Sequence, residues 1–192
     1  MTFNPLDAIQ RIDGSARTID ALRELAGDIA DTANLLAEAL TAEPARTLYT
    51  CGNGGSAAEA LHLAEELTGR YRADRRALPA VCLNSDPTAL TCIANDFGFD
   101  AVFARQLEAL ARPNDLLCVF STSGKSPNIL RALEAAAARD VRTIALLGKG
   151  GGPALDLAQH AIVVPSDDGA HIQEAHQVIL HIFLEAVEAT LV

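Results

Sequence analysis

A chain of 192 residues, 49% apolar and 21% charged, can fill one hydrophobic core without disulfide staples and is too apolar to be a disordered tail. Its formal charge of −10 would repel a phosphodiester backbone, and no basic patch offsets it, so nucleic acid is excluded as a partner. No basic leader with an apolar centre and no apolar run of bilayer length can be found, so a cytoplasmic protein with no membrane partner is the expectation.

The first element in chain order is helical. Between Pro5 and Ala42, Ile9, Ile12, Ile19, Leu22, Leu25, Ile29, Leu35, Leu36 and Leu40 recur at helical spacing with polar residues between them. This predicts a helical arm over residues 1–45, ahead of an α/β core over 46–192, the two making a single domain. The arm's apolar stripe needs a cover, and its place before the first strand suits packing against another subunit.

From Thr47 the pattern changes to short apolar runs alternating with longer helical ones, which indicates βαβ units and a parallel sheet. The predicted strands are Thr47 to Cys51, Ala80 to Asn84, Leu116 to Ser121, Thr143 to Leu147 and Ala161 to Pro165. Helices are expected from Ser56 to Gly69, from Asp86 through Leu110 with a break around Gly98, from Pro127 to Arg139, from Pro153 to Gln159 and from about Ala170 to Leu191. Right-handed crossovers then give a doubly wound, five-stranded parallel sheet of flavodoxin-like type with helices on both faces. Ligands of such sheets sit beyond the carboxyl ends of the strands, so the loops after the first and third strands are the places to search. The four cysteines, Cys51, Cys82, Cys92 and Cys118, stand singly and read as core fillers. The absence of tryptophan leaves few stacking platforms and favours a small polar ligand.

The loop after the first strand reads Cys51-Gly52-Asn53-Gly54-Gly55-Ser56-Ala57 and runs straight into a helix. Its glycines let the backbone approach a ligand closely, and the helix start favours an anion. The spelling also satisfies a dinucleotide fingerprint, but no acidic residue closes the second strand to bind a ribose. After the third strand comes Ser121-Thr122-Ser123-Gly124-Lys125-Ser126-Pro127, again entering a helix. Its hydroxyls and backbone N–H groups can cradle a phosphate monoester, or can simply cap the helix. Gly124-Lys125-Ser126 imitates the end of a Walker A loop, yet Val119 stands where the earlier glycine is required.

Groups able to handle protons or metal follow. His62 and Glu66 lie four apart on the helix after the glycine loop and can bite one divalent ion, or can be an exposed pair on a face with Glu59 and Glu65. In the last helix Gln173, Glu174, His176 and His181 interrupt an apolar run, with His181 set among Leu180, Ile182 and Phe183. A histidine there is either a satisfied core residue or a ligand or acid–base group.

Taken together, Cys51-Gly-Asn-Gly-Gly-Ser56, His62-Leu-Ala-Glu-Glu66-Leu-Thr-Gly-Arg70, Ala94-Asn95-Asp96-Phe-Gly-Phe99, Ser121 to Ser126, and Ile172-Gln173-Glu174-Ala-His176 with His181 resemble the bacterial phosphoheptose isomerases of the sugar-isomerase (SIS) fold family. The resemblance covers nearly the whole chain. It implies conversion of sedoheptulose 7-phosphate to D-glycero-D-manno-heptose 7-phosphate through an enediol, a first step toward ADP- or GDP-heptose for lipopolysaccharide. It implies a homotetramer with sites at subunit boundaries and one zinc per subunit, held by His62, Glu66, Gln173 and His181. Glu66 and His181 would be catalytic. Substrate would meet Asn53, Gly54, Gly55, Ser56, Glu66, Asn95, Asp96 and Gln173, with its phosphate on Ser121, Thr122, Ser123 and Ser126. The chain departs from the family's pattern at Gly169 and His171, at one edge of the expected pocket. A second reading is a non-catalytic protein of the same fold that binds the replication initiator or senses sugar phosphates; those initiator-binding relatives lack the glutamate and the late histidine that stand here as Glu66 and His181.

Overall fold

The computed structural model of the chain describes residue 2 and residues 4–191. The arm begins where its chemistry says it should. Asn4 caps helix α1 (Pro5–Ala21), accepting from the Leu6 N–H at 2.8 Å, while the Asp7 carboxylate accepts from the Asn4 N–H at 2.9 Å. Pro5 takes the first helical position, where no N–H is needed. The arm is two helices rather than one, because a 3₁₀ turn over Leu22–Leu25 separates α1 from α2 (Ala26–Thr41). Their fates differ: α2 buries Ile29, Leu36 and Leu40, whereas Leu6, Ile9 and Ile12 of α1 face solvent.

The strands are β1 (Leu48–Gly52), β2 (Ala80–Cys82), β3 (Leu116–Ser121), β4 (Arg142–Leu147) and β5 (His160–Val163). They form a five-stranded sheet in the order β2-β1-β3-β4-β5, with every pairing parallel. Because successive side chains point to opposite faces, β3 sends Cys118 and Phe120 into one apolar cluster and Leu117 and Val119 into another. The first cluster packs against α2, α3 (Gly55–Thr68) and α8 (Gly169–Ala189). The second packs against α5 (Ala104–Leu110), α6 (Pro127–Ala137) and α7 (Gly152–Leu157). Between β2 and α5 lies α4 (Pro87–Phe97), which is capped by Asp86 and followed by a 3₁₀ turn, so the expected long helix does break at Gly98, whose φ is 86°.

From β1 the chain goes outward to β2 on one side and returns to β3 on the other. That reversal places the glycine and serine loops side by side at the switch point of the sheet. One boundary differs from expectation for a local reason. β2 stops at Cys82 instead of Asn84, because the Asn84 carboxamide continues the ladder in place of the backbone, donating to the Gly52 carbonyl at 3.0 Å and accepting from the Gly52 N–H at 3.2 Å. The end of β1 is thereby held by a side chain.

Candidate active site

The glycine loop is shaped by contacts that a side chain would break. A Cβ at Gly52 would meet the Ser56 carbonyl at 2.4 Å, and Gly54 sits at φ 58° just before α3. A Cβ at Gly55 would fall 2.5 Å from the Gln173 carboxamide, which also lies 3.5 Å from the Ser56 hydroxyl. Gly55 therefore leaves the Gln173 carboxamide of α8 close against the start of α3.

The serine loop is joined to this one by a reciprocal amide pair. Asn53 donates to the Asn128 carboxamide at 2.9 Å and accepts from it at 2.8 Å. Asn128 is buried in the first turn of α6, so the two loops hold a common position. Within the serine loop, the Ser121 hydroxyl accepts from the Gly124 N–H at 3.0 Å and the Ser123 hydroxyl from the Lys125 N–H at 3.3 Å. Behind it runs a second glycine turn: a Cβ at Gly124, itself at φ 60°, would strike the Gly151 carbonyl. Ser126 occupies the N-cap position of α6, yet among the described residues its side chain makes no capping bond.

The proton-handling groups gather between α3 and α8. His62 Nε2 lies 3.4 Å from Glu66 Oε1, and donor atoms of His62, Glu65 and Glu66 all fall within 4.8 Å of one another. The His181 ring meets His62 edge-on at a centroid distance of 5.3 Å. Burial, then the neighbouring His62 charge, holds the His181 imidazole below its ordinary pKa against the opposing pull of Glu66. Its free nitrogen is accordingly available as a ligand or base near neutral pH. His62, Glu65 and Glu66 form a mixed nitrogen and oxygen donor set of the kind that suits zinc, and the His181 ring stands beside His62, so the residues present fit such an ion. Gln177 rather than Gln173 touches His62, its carboxamide reaching the Nδ1 side of the ring.

The remaining expected residues fall in several places. Asn95 and Asp96 are exposed on α4 and bond to each other at 2.7 Å; neither is hydrogen-bonded to the glycine or serine loop among the described residues. His176 is a core histidine, fully buried, with Nε2 3.2 Å from the Leu147 carbonyl and Nδ1 3.7 Å from the Glu59 carboxylate. Glu59 is buried with it, so the charged face expected on α3 is not uniformly solvated, although Glu65 is exposed. Cys51, Cys82 and Cys118 are buried, and desolvation pushes their thiols upward, whereas Cys92 is exposed on α4 and is not the core filler expected. At the edge where the family pattern is broken, Asp168 caps α8 and the His171 ring lies so close to Gly14 that a Cβ there would sit 2.5 Å from Cε1. A side chain at residue 14 would require that ring to shift.

Sequence reasoning passed over Asn84, Asn128, Gln177, Tyr71 and Glu188. Asn128 carried a faint signal, a polar residue in a helix's first turn after proline. Glu188 carried none, because it binds the backbone N–H groups of Tyr71, Arg72 and Ala73 more than a hundred positions away.

With this geometry in view, likeness to known proteins is informative. The SIS domain family model matches residues 12–148. The phosphoheptose isomerase of Geobacter sulfurreducens is 47% identical over 186 residues, covering 96% of this chain and 97% of the relative. The phosphoheptose isomerase structure from Neisseria gonorrhoeae superposes with a TM-score of 0.88 at 36% identity, over 95% of this chain and 97% of that one. The one from Francisella tularensis gives 0.88 at 33% identity, over 97% and 100%. The glycine loop, the serine loop and the His62–Glu66 helix all lie inside the region matched by the family model, and the full-length likeness extends to α8. In sequence and in fold, the chain belongs to the phosphoheptose isomerase family of SIS-domain proteins.

Proposed function

We propose that this protein is an aldose–ketose isomerase that converts sedoheptulose 7-phosphate to D-glycero-D-manno-heptose 7-phosphate. The observation that carries the reading is the reciprocal Asn53–Asn128 pair, which binds a hydroxyl-rich phosphate cradle to a loop whose helix bears His62 and Glu66. One end of a sugar phosphate is gripped while the other is presented to a carboxylate and two imidazoles.

The chemistry asks for little more. Moving the carbonyl from C2 to C1 requires a proton to leave C1 and one to arrive at C2, with an enediol between. Glu66 is the group assigned to both transfers at carbon. His181, with its imidazole held neutral, exchanges the accompanying protons at O1 and O2. Zinc held by His62, Glu66, Gln173 and His181 would supply polarisation of the two substrate oxygens. Asn53, Gly54, Gly55, Ser56 and Gln173 orient the chain near its reacting end, and Ser121, Thr122, Ser123 and Ser126 take the phosphate. Asn95 and Asp96 are assigned to the substrate, as the family resemblance implies.

A homotetramer with sites at subunit boundaries belongs to the same proposal. It is supported by the exposed Ile9 and Ile12 of α1 and by an apolar groove between the arm and α8, lined by Ile19, Leu22, Ile29, Val178 and Ile182. A cytoplasmic site of action fits a phosphorylated substrate, and no helix among the described residues is long and apolar enough to cross a membrane.

Incubation with sedoheptulose 7-phosphate in deuterated water tests the function. The expected result is an aldose heptose 7-phosphate carrying deuterium at C2, and binding without any aldose would refute it in favour of a non-catalytic sensor.

A further inference from the structure

The loop between α3 and β2 contains a contact network that the isomerase chemistry just described does not use. The Glu188 carboxylate, near the end of α8 and buried, accepts from three successive backbone N–H groups: Tyr71 at 3.1 Å, Arg72 at 3.1 Å and Ala73 at 2.9 Å. Arg75 is 2% exposed in its side chain, with Nε 3.6 Å from the same carboxylate. Its guanidinium donates to the Glu66 carbonyl at 2.6 Å and to the Leu67 carbonyl at 2.8 Å, closing the last turn of α3. One buried ion pair thus fastens the end of α3 to the end of α8.

What this fastening presents is an aromatic ring. Tyr71 lies over the His181 imidazole with centroids 5.5 Å apart and planes inclined by only 19°. The Arg72 guanidinium stands 4.8 Å from the Tyr71 centroid and is itself paired with Glu185 at 2.7 Å. His181 is therefore bounded by a flat tyrosine face and by the edge of His62, an arrangement that allows the imidazole little freedom to tilt.

We infer that Tyr71 is a positioning residue for His181, set in place by the Glu188–Arg75 pair, which at the same time fixes the backbone of Glu66. The inference rests on the functional reading above, since it assigns Tyr71 to the orientation of a group that handles protons and metal in that reading. Stacking supplies the orientation and the phenol hydroxyl has no part in it. The ring face is what must be kept.

Tyr71→Leu preserves bulk without the flat face, and Tyr71→Phe preserves the face without the hydroxyl. In the Leu variant kcat should fall about tenfold or more while KM changes little, and zinc affinity of the metal-freed protein, measured by competition with a chromophoric chelator, should weaken. In the Phe variant both should return toward the wild-type values. Imidazole C–H signals give a readout that needs neither turnover nor metal: of the five histidines, the one lost in His181→Gln identifies His181, and its ring-current shift should disappear in Tyr71→Leu and persist in Tyr71→Phe. The buried His176 signal should stay put in both and so report an intact core. A wild type that isomerises while Tyr71→Leu leaves kcat, zinc affinity and the His181 signal unchanged overturns the positioning role alone. A wild type without turnover overturns the functional reading instead.

Discussion

The glycine loop and the serine loop are both turns from a central strand into a helix, side by side at the switch point, yet they are built to opposite ends. The helix after the glycine loop carries His62 and Glu66, and its start lies so close to α8 that a methyl group at Gly55 would displace the Gln173 carboxamide. The helix after the serine loop opens with Pro127 and a buried Asn128, and the groups the proposal assigns there are the hydroxyls of the loop itself. The difference teaches a division of labour. In the proposed function, chemistry falls to the place where two helices converge and can supply titratable side chains from both, and grip to the place where one helix start would present neutral donors to a dianion.

Substitutions on the two sides should separate in kinetics. The largest effect is expected for Glu66→Gln, which should lower kcat by about a thousandfold while sugar phosphate binding, followed by calorimetry, survives. A wild-type rate would remove Glu66 from the proton transfers and erase the contrast between the loops. Next in size is metal removal. Prolonged chelation should abolish most activity, with zinc restoring it, and His181→Ala should carry less zinc by elemental analysis; full occupancy in that variant would leave His181 with proton exchange alone.

On the gripping side the effect should be smaller and of another kind. Ser126→Ala removes a hydroxyl that the proposal assigns to the phosphate and that makes no capping bond among the described residues, so KM should rise about tenfold with kcat nearly unchanged. If kcat fell instead, the serine loop would be part of the chemistry and the division would not hold.

The smallest effect concerns the brace behind the chemical side and reads out as stability against pH. Burial alone would raise the Glu188 carboxyl, but the N–H groups of Ala73, Arg72 and Tyr71, helped by the Arg75 charge, more than offset it and bring it below its ordinary value of 4.5. A carboxyl depressed on folding adds stability that is present above that ordinary value and is lost as pH falls below it, through the folded-state value. Melting temperature should therefore drop on acidification below about 4.5, and Glu188→Gln should be less stable at neutral pH with a shallower acid decline. An unchanged acid profile would show that the brace contributes nothing through its charge.

Much of this was legible in residue order. The helical arm, the five strands in their parallel sheet and the glycine and serine loops follow from apolar periodicity and from glycine and serine placed at strand ends, because those are local consequences of backbone geometry. The family likeness was legible for the same reason, since its motifs are short and contiguous. Not legible were contacts made by single polar side chains across long separations. Asn84 finishes the ladder of β1, Asn128 joins two loops, Gln177 rather than Gln173 reaches His62, and Glu188 gathers a loop far from it in sequence. Nor could spacing alone say that His176 would be buried with Glu59 while His181, five positions on, would face His62.

By itself, then, the amino-acid order determined the elements, their succession and which residue types stand at the carboxyl end of the sheet. Only tertiary structure decided which of those residues meet, because a hydrogen bond or a stacked ring depends on two surfaces arriving at the same point, and the period of one helix records only its own buried face.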